Sequence, residues 1–362
     1  MSMFRKLTLV NLVIICLLCY GKLYSQTDIS AIKSLKGEIH KYSIFDKADT
    51  LSSNEIIELR GSNGLPLWFS REFYQEVCLS GLCRMVHYKI YWKGSGVYTA
   101  IEVNDKEPLT KADHTEFKKE DYVKLDRILR DSISVFNQLK PEDLTVPVKD
   151  TTKNTVDAHS GATEPSISSY VVKDAVYTCY TLWHTVYGSS LQKVKSILDQ
   201  RSNSAFLELI FEQPDPDFVI WGINFVRAHK EYHPQFYKTI TGLIKSENIN
   251  VSKAALKYFT PSILADANIQ KELSSMIVSA DRKFDIIWLF STLADVSNET
   301  IINLLGQYKT DQISSTMLGY VYKMINTEKL KDPRILDQLR IIESDDNLYV
   351  KNITKQLLSK AY

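Results

Sequence analysis

The chain has 362 residues, 44% of them hydrophobic, with 44 Lys and Arg against 43 Asp and Glu for a formal net charge of +1. So even a balance argues against nucleic-acid binding, where affinity rests on clustered basic residues. The length suffices for two domains on the usual scale of domain sizes.

Taken from the N-terminus, Arg5 and Lys6 make a short basic start, residues 7–21 are apolar but for Thr8, Asn11 and Tyr20, and small Ser25 precedes Gln26. This is the layout of a secretory signal peptide over residues 1–25, so an exported protein, periplasmic or secreted, is expected. As a membrane anchor the run falls short of the roughly 20 apolar residues that span a bilayer. As a lipoprotein leader it places bulky Ile14, Ile15, Leu17 and Leu18 before Cys16 and Cys19. Losing the leader removes Arg5, Lys6 and Lys22 and no acid, which takes the charge to −2. Cys78, Cys83 and Cys179 then remain, in a compartment where disulfides persist. No later segment reads as transmembrane.

Cys78 and Cys83 flank Leu79-Ser80-Gly81-Leu82. That spacing fits neither the C-x-x-C of redox enzymes nor the usual zinc patterns, so a local disulfide closing a Gly-containing turn is expected, with a redox dithiol as the alternative. Residues 85–92 and 97–103 are rich in β-formers and joined by Lys93-Gly94-Ser95-Gly96, which predicts a hairpin. Tyr122, Leu125, Ile128, Leu129, Ile133 and Phe136 step by three and four, predicting an amphipathic helix over 119–139. Residues 139–156 are polar and broken by Pro141 and Pro147, a loop. A second helix is predicted over 166–187 from Val172, Val176, Cys179, Trp183 and Val186, with Gly188 closing it as a C-terminal glycine.

Downstream the pattern is helical and repeats. Residues 236–244, 269–277, 301–309 and 335–343 echo one another, with equivalent starts at Tyr237, Ile269, Ile301 and Ile335, spaced by 32, 32 and 34. Partner helices are predicted from near Val251, Lys283, Ile313 and Asn347, and an earlier pair over 205–212 and 217–229. Helix pairs recurring at this period point to a stacked α-solenoid of degenerate HEAT-like type, because one pair cannot bury its apolar face alone; an irregular helical bundle is the alternative. The expected organisation is a leader over 1–25, an α+β domain over 26–189 and an all-α repeat domain over 190–362.

The loop before the second helix carries Asp157-Ala158-His159-Ser160-Gly161-Ala162-Thr163, of the form D-x-x-S-G-A-T. It resembles the flavinylation motif of the FMN-binding domain family, which includes flavin-carrying subunits of sodium-pumping quinone reductases and of Rnf-type complexes. The resemblance covers residues 80–188. It implies FMN joined through its phosphate to Thr163 by a flavin transferase, with Asp157, Ser160, Gly161 and Ala162 as recognition residues. Members often continue with Thr-Ser, where this chain has Glu164-Pro165-Ser166. With Pro165 in a first-turn position, a phosphate on Thr163 is expected at a helix N-terminus, where free N–H groups favour an anion; read without flavin, Thr163 is an N-cap. Tyr177, Tyr180, Trp183 and His184 are expected as core, with flanking of a flavin ring as the alternative.

The seven histidines make no metal-ligand pattern; His229 and His233 are four apart but Pro234 and a helix end separate them. There is no G-x-S-x-G, H-E-x-x-H or phosphate-cradling glycine loop, so hydrolase and kinase chemistry have no support. The expected function is an exported electron-transfer flavoprotein whose helical array docks a redox partner. The alternative is a flavin-free scaffold whose solenoid binds a protein.

Overall fold

The computed structural model describes residues 29–46, 49–77, 84–146, 163–279 and 282–361. The leader, Cys78, Cys83, Asp157, Ser160, Gly161 and Ala162 lie outside the described residues. The chain divides into two compact units, Met1–Phe206 and Leu207–Tyr362, so the boundary falls after the change of sequence texture at 190.

The first unit is built on a five-stranded antiparallel meander in the order β1-β2-β3-β4-β5. Its strands are β1 (Glu38–Ser43), β2 (Glu55–Arg60), β3 (Pro66–Gln75), β4 (Val86–Lys93) and β5 (Tyr98–Val103). The predicted hairpin is β4–β5, with Ile90 opposite Ile101 and Gly96 at φ 84° in its turn, a conformation glycine adopts without strain. Strands β1 to β3 were not anticipated, because β1 and β2 are short and dense in charge.

Alternation along the strands gives the sheet two faces. On one, Ile29 and Ile32 of the short helix α1 (Ile29–Ser34) pack against Trp68, Tyr91 and Ala100. Helices α3 (Val176–Tyr187) and α4 (Ser189–Arg201) reach the other. Trp92 Nε1 donates to the Val186 carbonyl at 3.1 Å and Arg71 donates to Ser190 Oγ at 3.0 Å. Glu58, with no exposed surface, accepts from Arg60 and Tyr42 and meets Arg201 Nη1 at 2.6 Å, which ties α4 to β2.

Helix α2 (Lys119–Arg130) packs on β5 and α3. It stops earlier than its periodicity predicts. Asp131 turns to extended backbone, its carboxylate accepts from Ile133 N–H, and Ser134 caps a 3₁₀ turn over Val135–Asn137. Short polar side chains here offer the backbone an alternative to the helix. Phe136 is still buried, but Ile133 is 90% exposed. The predicted helix over 166–187 is likewise shorter: α3 starts at Val176, after a 3₁₀ turn over Ser168–Tyr170 and a left-handed Asp174 at φ 60°. Gly188 ends α3 at φ −85°, not in the left-handed conformation. A Cβ there would lie 2.5 Å from the His184 carbonyl oxygen, so close approach is what demands glycine.

Helix α5 (Ser204–Phe211) crosses the boundary into the second unit, which continues with α6 (Pro216–Ala228), α7 (His233–Leu243), α8 (Ile249–Tyr258) and α9 (Ala267–Met276). Then come α10 (Lys283–Ser291), α11 (Asn298–Lys309), α12 (Ser315–Lys323), α13 (Pro333–Glu343) and α14 (Leu348–Leu358). Each predicted window falls on a helix: the four repeat starts on α7, α9, α11 and α13, their partners on α8, α10, α12 and α14. Helix α9 packs on α11 and α11 on α13, while α10 packs on α12 and α12 on α14.

The starts are specified locally. Asp215, Asn248, Asp266, Ser297, Ser314, Asp332 and Asn347 each accept a first-turn backbone N–H of the helix that follows, which satisfies donors that the helix itself cannot. Polar side chains also bridge helices: Gln307 donates to the Ser274 carbonyl, Ser297 N–H to Gln270, and Tyr308 to Asp345. The core between them is aliphatic and aromatic, with Leu273, Ile277, Ile301, Leu304, Ile335 and Leu339 buried. Among the described residues no helix is long and apolar enough to cross a membrane.

Candidate functional site

Thr163 is the one motif residue within the described segments. It pairs with Thr145 in an isolated antiparallel bridge, and Glu164 N–H donates to the Leu144 carbonyl at 3.0 Å. The chain then turns through residues 165–167 and the 3₁₀ turn before α3 begins at Val176. Thr163 is therefore not an N-cap: the helix expected to begin at Pro165 begins at Val176. The half-buried threonine sits on a short strand-like ledge instead.

The ledge is held from α3. Tyr177 Oη lies 3.0 Å from Thr145 Oγ1. One turn further on, the aromatic row anchors the segment that leads to Thr145. Tyr180 donates to the Leu139 carbonyl at 3.2 Å and Trp183 Nε1 to that of Asp131 at 2.8 Å. His184 Nε2 lies 3.1 Å from the Phe136 carbonyl oxygen, and Tyr187 donates to Leu129 at 2.7 Å. Trp183 is buried while Tyr177, Tyr180 and His184 are half-buried, and the tips of Tyr180, Trp183 and His184 meet backbone. Burial lowers the His184 pKa, against a smaller raising effect of the Phe136 carbonyl. The thiol of Cys179 is buried and pushed up to about 12 by that burial, with Sγ 3.4 Å from Val172 N. A thiol so hard to ionise is a poor nucleophile.

A groove of about 930 Å³ runs along the exposed side of α2, lined there by Lys119, Val123, Lys124 and Arg127 and across from it by Ile133 and Tyr170. Glu120 and Asp131 also line it. Its size falls within the range of small-molecule sites, about 300–1,000 Å³. Tyr170 is 62% exposed and belongs to the segment that follows Thr163. Basic side chains, apolar walls and an accessible ring together are a donor set compatible with an aromatic phosphate ester such as FMN. Sequence reasoning missed this groove. The signal was present as Lys119, Val123, Lys124 and Arg127 at helical spacing on one face of α2.

His229 Nδ1 lies 2.9 Å from the Phe225 carbonyl oxygen and its ring stacks on Phe225. Among the described residues no group of three or more His, Cys, Asp or Glu is arranged to hold a metal ion. No family model, curated protein or solved structure matches the chain.

Proposed function

We propose that this chain is an exported electron-transfer flavoprotein, with FMN joined through its phosphate to Thr163 and a helical second unit that docks a redox partner. The observation that carries the reading is the motif D-x-x-S-G-A-T ending on Thr163, in a unit that also holds the basic, tyrosine-bearing groove along α2. Bound FMN would supply one- and two-electron transfer. The chain's part is then attachment at Thr163, charge compensation by Lys119, Lys124 and Arg127, and a face for the ring at Tyr170. A catalytic acid or base is not required. Export would put Thr163 where a flavin transferase of the same compartment reaches it. The test is co-expression with such a transferase, denaturation, and in-gel flavin fluorescence with intact mass. Fluorescence lost in Thr163→Ala supports the reading; a colourless wild-type protein of unmodified mass sinks it.

The docking role rests on the second unit, which we read as a short HEAT-like α-solenoid. The successive packing of α9, α11 and α13, and of α10, α12 and α14, supports that reading. One observation favours a second reading, a flavin-free scaffold. Phe284 and Trp288 of α10 and Tyr349 of α14 are 41%, 52% and 55% exposed, and Tyr320 of α12 meets Phe284 edge-on with ring centroids 5.2 Å apart. Exposed aromatic rows are what protein interfaces are enriched in. The scaffold reading expects a protein crosslinked to the wild-type chain in its host to be lost from Trp288→Ala/Tyr349→Ala at unchanged melting temperature.

A further inference from the structure

The second unit contains a cleft of about 420 Å³ between the start of α7, the end of α8 and the start of α9. Its apolar wall includes Pro234, Ile263 and Ile269, and Lys230 stands among its lining residues. Two further lining residues, His233 and Tyr258, have rings 5.4 Å apart at 72°. His233 Nε2 and the Tyr258 hydroxyl are both shut off from water, and neither has a hydrogen-bond partner. Buried polar atoms of this kind are rare and each calls for a reason. Elsewhere in this unit tyrosines do find partners: buried Tyr322 meets Thr354 at 2.7 Å and half-buried Tyr308 donates to Asp345 at 2.9 Å.

We propose that this cleft is a binding site for a small organic acid with an apolar or aromatic body. The carboxylate would accept from the Tyr258 O–H and from a His233 Nε2–H once the two rings turn these atoms toward the cleft, with the Lys230 ammonium as counter-charge. The body would lie on Pro234, Ile263 and Ile269. Burial raises the Tyr258 pKa to about 12, so at neutral pH its hydroxyl is a donor. The one acid of the lining, Asp266, already accepts from Asn268 N–H at 2.8 Å as the cap of α9. Ser262 is likewise engaged, 3.0 Å from Thr260. Tyr237 and Asn268 also line the cleft, but the buried atoms of the lining without a partner are His233 Nε2 and the Tyr258 hydroxyl. The site is separate from Thr163 and stands whether or not the chain carries flavin.

Phenylacetate, indole-3-acetate and hexanoate serve as probes on the full chain, with phenylacetamide as the uncharged control. Binding is read by saturation-transfer NMR and by the shift in melting temperature. Saturable binding of at least one acid is expected, about tenfold weaker in Tyr258→Phe and in Lys230→Ala and about tenfold weaker for the amide. Tyr258→Phe should meanwhile melt higher than wild type without ligand, so loss of binding is not loss of fold. No saturable binding of any acid up to roughly 5 mM, weaker than any affinity of interest, overturns the proposal. Equal binding by Tyr258→Phe, or by the amide, overturns it as well.

Discussion

Glu58 sits wholly buried on β2 between Arg60 at 2.8 Å and Arg201 at 2.6 Å, with the Tyr42 hydroxyl as a third donor. Burial alone would raise its pKa, but the hydrogen bonds from Arg60 and Tyr42 and the charge of Arg201 outweigh it, and the value is lowered. A lowered folded-state pKa contributes stability that is complete above the ordinary glutamate range and is lost as the pH falls through the folded value. His184, lowered by its burial, acts in the same direction from higher up, its contribution fading as the pH drops below the usual imidazole range. Urea midpoints followed against pH should therefore fall in two stages on the acid side. Glu58→Gln should flatten the lower stage and cost about 2–4 kcal/mol at neutral pH, because it leaves two partly buried guanidiniums short of a counter-charge. At Tyr258 the sign reverses. Removing a buried hydroxyl without a partner stabilises, so Tyr258→Phe should gain about 1 kcal/mol in the same measurement.

At the scale of elements, the helices of the second unit were legible because their apolar residues recur at helical spacing and the pattern repeats; the capping residues at their starts are a further local signal. Ser297, Asp332 and Asn347 each stand just before a predicted helix. Asn347→Ala should cost about 1 kcal/mol by urea denaturation. In the first unit the same periodicity over-reached. Ile133 and Phe136 continue the stripe of α2, yet Asp131 and Ser134 draw the backbone into local bonds and the helix ends. Strands β1 and β2 were hidden for a different reason: five of their twelve positions are charged, and the pairing that rescues them, such as Lys41 with Glu55 and Arg60 with Glu58, lies across strands or within a buried cluster. Close packing is also invisible in one dimension. A Cβ on Gly222 of α6 would lie 2.9 Å from Ile210 Cγ2 and 3.3 Å from Phe211 Cζ of α5. Gly222→Ala should therefore lose about 1–2 kcal/mol from crowding, despite the better helix propensity of alanine.

For the whole molecule, the two compact units do not divide where the sequence changes texture. Helix α4 lies within the stretch from 190 assigned to the helical half, though no helix was predicted there; Leu191, Val194, Ile197 and Leu198 are buried, and Arg201 and Ser190 meet Glu58 and Arg71 of the sheet. A fragment of residues 26–206 should therefore unfold cooperatively in urea, whereas 26–188, stripped of that helix, should show no cooperative transition by circular dichroism. The candidate site divides in the same way. The motif ending at Thr163 and the helical repeat could be read from the sequence, because a motif and a period are properties of neighbours along the chain. The groove along α2, the ledge of Thr163 with Thr145 and the unpartnered pair His233 and Tyr258 could not be. Each joins residues far apart in sequence, and only packing decides which polar groups meet a partner and which are left without one. What the sequence by itself determined is the succession of an α+β half and a helical half, with a threonine offered in a flavinylation-like motif. Tertiary structure alone decided where α2 and α3 begin and end, that Thr163 pairs with Thr145 and caps no helix, and which buried polar groups find partners, since those depend on burial and long-range hydrogen bonds.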